Sequence, residues 1–144
     1  MQSPDVTPSP PGLLRRLGAL FYDAVLLLGI LFLATAALLP FRSGEAIHSH
    51  SLVYDAYLLG VAYLFFTWFW THGGQTLGMR TWKIKLCSEC GGSVGWKTAS
   101  LRFIAGIISL GLFGFGFYWA LWDPDKRCWH DCLAHTRVIR VGYI

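Results

Sequence analysis

Charge is what this 144-residue chain has least of: Asp, Glu, Lys and Arg make up 14% of it, against about 25% in a soluble domain. With 54% hydrophobic residues besides 16 Gly, too little polar surface is left to wet a globule of this size, which excludes an ordinary cytosolic enzyme. The same apolar content excludes disorder. Basic residues outnumber acidic ones 12 to 8, without the stripe that a nucleic-acid partner needs. There is no Ser/His/Asp nucleophile pattern, no phosphate-binding Gly loop and no paired-His helix motif, so no enzymatic chemistry is expected. The length bounds the chain to one domain, and no internal repeat is visible.

What is present is three long uncharged runs. Residues 17–39 carry Asp23 alone as a charge, and 23 helical residues at about 1.5 Å each cover a hydrocarbon core of about 30 Å. Residues 52–70 carry only Asp55, in the first turn, within reach of headgroups. Residues 103–122 are uncharged but contain Gly106, Gly111, Gly114 and Gly116. The first run exceeds a signal-peptide core of about 7–15 residues and no small-residue cleavage site follows it. The fold class expected is an all-α membrane protein with two transmembrane helices and a third, glycine-rich membrane segment.

The connections differ in kind. Residues 1–12 hold four of the six prolines without periodicity, as in a flexible tail, and the membrane domain is expected over 13–144. Pro40 punctuates the end of the first run, and residues 41–51 form a polar link in which His48 and His50 are solvated. Within residues 71–100, HGGQTLG has no helical period, whereas Trp82, Ile84 and Leu86 alternate with Lys83, Lys85 and Cys87 as a half-buried strand does. Residues 89–93 supply a turn, 94–96 a return strand, and 137–141 a further β-rich run that could join 83–86 in a small cytoplasmic sheet.

Orientation follows the basic residues near the runs. Arg15 and Arg16 precede the first, Arg42 alone follows it, and Arg80, Lys83, Lys85 and Lys97 follow the second, which places the N-terminus and the long loop in the cytoplasm. Lys126, Arg127, Arg137 and Arg140 ask for the same side, yet three straight spans would put them opposite. A re-entrant hairpin turning at residues 111–116 resolves the conflict, provided that protein shields its backbone; a straight third span of 20 residues is the alternative.

Asp23 is the residue that needs explaining. It lies two helical turns, about 10 Å, beyond Arg16 and so needs another partner, for which Arg102, His130 and Arg127 are available. Paired with an Arg it fixes helix packing; unpaired it carries an ion or proton. Asp131 is either a vestibule charge or, structurally, a helix cap or a salt-bridge partner for Arg137 or Arg80. Trp68, Trp70, Tyr118, Trp119 and Trp122 form an interfacial belt. Cys87 and Cys90, spaced C-x-x-C, could hold zinc together with Cys128 and Cys132 if the two regions meet; otherwise the four are isolated thiols and no cofactor is implied. A reducing cytosol disfavours disulfides.

The blocks RRLGALFYDAVLLL, GGQTLGMRTWKIKL and DKRCWHDCLAHTRVI, in this order, resemble the RDD family of bacterial membrane proteins over about residues 13–141. The resemblance makes Arg16 the family's Arg, Asp23 its first Asp and Asp131 its second, with Gln75, Gly78 and Thr136 as accompanying positions. His135 stands where the family has Gly, Cys128 where it has a hydroxyl residue, and Cys132 where it has an apolar one. It implies a multi-pass inner-membrane protein, with transport proposed for the family but no settled ligand. Two or three helices are too few to enclose a path, so a homo-oligomer in the lipid bilayer is expected. A transport-related protein coupled to an ion or proton through Asp23 stands beside a non-transporting scaffold or accessory subunit and, behind both, a thiol oxidoreductase using Cys87 and Cys90.

Overall fold

The first apolar run forms one 26-residue helix, α1 (Leu13–Leu38), in a computed structural model that describes residues 9–43, 45–46, 51–112, 114–124 and 126–141. Its only buried residues are Arg16, Ala19 and Asp23, which at spacings of three and four make one stripe along the first turns. Its large apolar side chains mostly face outward: Phe21, Leu28, Phe32 and Leu33 are each at least 67% exposed. A helix with its charges inside and its Leu and Phe outside is the inverse of a soluble one, and hydrocarbon is the medium that satisfies it. Pro40 sits in a 3-10 turn (Leu39–Arg42) that ends the helix.

The second run forms α2 (Leu52–Thr71), and both helices are long and apolar enough to cross a membrane. Tyrosines tie α2 to α1 near their far ends, through Tyr54 Oη to Thr35 Oγ1 at 2.8 Å and Tyr57 Oη donating to the Ala34 carbonyl at 3.2 Å.

The loop after α2 differs from expectation. HGGQTLG leads into a short helix, α3 (Leu77–Thr81), because Thr76 caps it by accepting from Met79 N at 3.2 Å. The strand therefore starts later than the alternation suggests: Trp82 ends α3, Lys83 turns with φ 54°, and β1 covers Ile84–Ser88. Residues 94–96 make no return strand, since Gly95 caps α4 (Trp96–Gly111). The partner of β1 is instead β2 (Thr136–Arg140), antiparallel, with Leu86 opposite Val138, as the pairing of 83–86 with 137–141 requires. Ile84, Leu86 and Val138 pack with Ala19, Met79 and Ala99 in the core, Trp70 and Trp82 at its edge. Trp82 lies over Gly18, where any Cβ would collide with the indole, so the sheet docks on the first turns of α1.

The glycine-rich run is not one straight helix. After α4 the chain turns at Gly114 (φ 76°) into α5 (Phe115–Trp122). Gly116 lies so close to Ser109 that a Cβ would meet its hydroxyl. α5 leads back to α6 (Trp129–Leu133), where Asp131 is in contact with Arg102 of α4. The chain thus returns to the level at which α4 began.

The proline-rich tail is not free to its end. Pro11 is fully buried and the Ser9 carbonyl accepts from Arg140 N at 3.3 Å, next to β2. Residues 1–8 lie outside the described residues, as do His48 and His50.

Candidate functional site

α6 exists to present Asp131. Cys128 N–H donates to Asp131 Oδ2 at 3.1 Å, the returning arm of a capping box. The fully buried carboxylate then takes Arg16 Nη1 from α1 on Oδ2 and Arg102 Nη1 from α4 on Oδ1. Arg102 Nη1 also donates to Thr136 Oγ1 at 3.0 Å and Arg16 Nη1 to Cys128 Sγ at 3.2 Å. One carboxylate thus joins the starts of α1 and α4 to the returning end of the chain, and to β2 through Thr136. Burial alone would raise the Asp131 pKa, but the Arg102 and Arg16 charges outweigh it and hold the carboxyl well below the usual range. His130 Nε2 lies 3.8 Å from Asp131 Oδ1, and burial together with Arg102 pushes its pKa down to about 4, so it is neutral at pH 7. Burial and the Asp131 charge push the Cys128 thiol up to about 11.

The expected pairing is thereby redistributed. Asp131 caps its helix, but its ion partners are Arg16 and Arg102 rather than Arg137 or Arg80. Arg127 bonds Asp123 through Nε at 3.2 Å and Glu89 through Nη1 at 2.8 Å. Asp23 is joined to neither Arg16 nor Arg102, because a single carboxylate closer to both has taken them. Its partners come from the cap of α3 instead: Thr76 Oγ1 donates to Oδ2, and Gly78 N to Oδ1 at 2.9 Å. Gly78 has to be glycine, since a Cβ would strike the Ala19 carbonyl and come within 2.8 Å of Asp23 Oδ1. Gln75 Nε2 fixes the same loop on the Ile84 carbonyl at 2.9 Å. His135, where the family pattern has Gly, holds φ 51°, a left-handed position that Gly occupies without strain.

Above the clasp, α1, α2 and α4 line a half-open cavity of about 290 Å³. Arg16, Arg102 and His130 stand at one end, Asp23 in the wall, and Leu27, Leu59, Ile107 and Leu110 further along. Trp70 belongs to this site rather than to an interfacial belt, for its ring lies 5.1 Å from the Arg102 guanidinium carbon. Sequence reasoning missed Thr76 and Trp70; a Thr directly before a Leu-Gly-Met turn is a cap signal that could have found the first.

Among the described residues the metal-type ligands that converge are Cys128, His130 and Asp131, within 4.8 Å of one another. The sheet forms, yet it does not bring Cys87 or Cys90 into that group. The group itself suits a cation poorly, because both carboxylate oxygens accept from guanidinium ions and the Cys128 sulfur accepts from Arg16. All four cysteines are free thiols, Cys90 exposed on the turn after β1 and Cys87 and Cys132 half-buried.

The sequence pattern of the RDD family matches residues 10–135. No curated protein and no solved structure matches the chain.

Proposed function

The chain belongs to the RDD family of membrane proteins, and we propose that it is transport-related, with the cavity between α1, α2 and α4 as its substrate site and the Arg16–Asp131–Arg102 clasp as the brace that holds the site's shape. The observation that carries this is the cavity itself: roughly 290 Å³ of space between helices suited to hydrocarbon, with two buried guanidinium groups at one end. Small-molecule sites are of this kind, mostly apolar with a few placed polar groups. Asp23 lines the wall without belonging to the clasp, so protonation there leaves the brace intact, and coupling to an ion or proton is assigned to it. In this reading α4 and α5 are a re-entrant hairpin, the N-terminus, the sheet and α6 are on the cytoplasmic face of the inner membrane, and copies associate to close a path. No catalytic step and no metal enter it.

A scaffold role is the second reading, favoured by the fact that Arg16, Asp23 and Asp131 all have internal partners. Proteoliposomes carrying an internal pH dye separate the two. Gly106 lines the cavity and a Cβ there meets nothing within 4 Å, so Gly106→Leu fills the site from a helix able to hold it. Transport predicts proton or anion flux under an imposed potential that Gly106→Leu abolishes. Flux no greater than in empty liposomes supports the scaffold.

A further inference from the structure

The cavity has a polarity that specifies its ligand. At the clasp end two guanidinium ions face one carboxylate, with Arg16 and Arg102 each 6% exposed and Asp131 not at all. His130 and Cys128, the other ionisable groups against that cluster, are neutral at pH 7, so the end carries an uncompensated positive charge. Asp23 lies two helical turns from Arg16 and spends its oxygens on Thr76 and Gly78. Each arginine meets Asp131 through Nη1, and among the described residues neither Nη2 has an acceptor. From Arg102 to Leu110 the cavity follows eight residues of α4, roughly 12 Å at about 1.5 Å per residue, and Leu59, Ile107 and Leu110 line that length without a charge.

The geometry points to an amphiphile with an anionic head, phosphate or carboxylate, and a single alkyl tail as the occupant: the head at the free edges of Arg16 and Arg102, the tail along α4 between Leu59 and Leu110. A buried cation short of one counter-charge favours an anion, a planar guanidinium suits its oxygens, and apolar walls suit the tail. A cation or a sugar would leave both features unused. This inference deepens the cavity reading above and rests on it.

The test uses the purified full chain in phosphatidylcholine nanodiscs, with thermal unfolding followed in the presence of dodecyl phosphate, dodecylphosphocholine, dodecanol or inorganic phosphate. Dodecyl phosphate is expected to raise the midpoint by several degrees, the other three to leave it within one degree, and Gly106→Leu to remove the shift. Leu59→Trp, which fills the cavity from α2, serves as a second block should Gly106→Leu fail to fold. An equal, block-sensitive shift with dodecanol or dodecylphosphocholine overturns the anionic head while leaving the cavity as a ligand site. A shift with inorganic phosphate alone assigns the site to a soluble anion and overturns the amphiphile. A dodecyl phosphate shift that persists in both blocked variants, or no shift with any probe, removes the inference, and the flux measurement above then decides the cavity reading separately.

Discussion

Replacing Asp131 by Asn keeps the volume and the oxygen that accepts from Cys128 N, so α6 retains its cap while the charge is lost. What remains is two buried guanidinium ions with no carboxylate between them. Breaking a buried pair costs about 3–5 kcal/mol, because an uncompensated charge is left behind, and that is a large share of the roughly 5–15 kcal/mol that holds a domain folded. Arg102→Met is milder. Arg16 still neutralises the carboxylate, and the losses are one charged hydrogen bond to Asp131 and one to Thr136, about 2–3 kcal/mol in all. Combining the two removes one of the stranded cations, so the double variant should be about 1–2 kcal/mol more stable than the sum of the singles implies. Equilibrium unfolding in mixed detergent micelles, followed by tryptophan fluorescence, measures all three. Asp131→Asn within about 1 kcal/mol of the parent, or strictly additive losses, would refute the clasp.

The Asp23 prediction is opposite in size. With no ion partner to strand, Asp23→Asn should cost only about 1 kcal/mol, since a charge-assisted bond to Gly78 becomes a neutral one. Gly78→Ala, which drives a Cβ into the Ala19 carbonyl, should cost more, about 1–3 kcal/mol; the reverse order in the same unfolding assay would return Asp23 to an ion pair. The pH dependence has a definite sign. His130 takes up its proton at about 4 in the folded protein but near 6.5 when unfolded, so its contribution is full above pH 6.5 and falls by about 3 kcal/mol as pH drops to 4. The lowered Asp131 pKa extends the loss below pH 4, because the unfolded carboxyl is protonated first. His130→Gln should flatten the decline between pH 6.5 and 4, and an unchanged slope would assign it elsewhere.

The membrane helices were legible because crossing hydrocarbon demands a length and a composition that α1 and α2 state outright. For the third segment the sequence left two readings, because the basic residues on both sides of 103–122 conflict with a straight span while its 20 residues suffice for one; the chain turns at Gly114 between α4 and α5. The pairing of 83–86 with 137–141 could be read from two β-rich runs with unsatisfied backbone. The wiring of the charges could not. The spacing of Arg16 and Asp23 along one helix face says that each needs a partner from elsewhere but not which one, and the carboxylate that takes Arg16 arrives from 115 residues further on. Such pairing depends on how α6 returns, which no local pattern encodes. The cap of α3 was missed for a related reason: a five-residue helix has no periodicity to detect, and its signal was the single Thr76. Likewise Cys128-x-x-Asp131 has capping-box spacing, but a thiol in place of a hydroxyl drew attention to metals instead.

The clasp, the sheet and the clasp end of the cavity all need residues 126–141 on the side from which α4 sets out, and so depend on the return of the chain after Gly114. Single cysteines at Arg42, Ser93 and Arg137, exposed positions before α2, before α4 and on β2, in a protein whose four native cysteines are replaced by Ser, can be labelled with a membrane-impermeant thiol reagent in right-side-out and inverted vesicles. The hairpin predicts that the Ser93→Cys and Arg137→Cys proteins react from the same side and the Arg42→Cys protein from the other. Labelling of the Arg137→Cys protein from the side of Arg42 would make the third segment a full span and contradict the account.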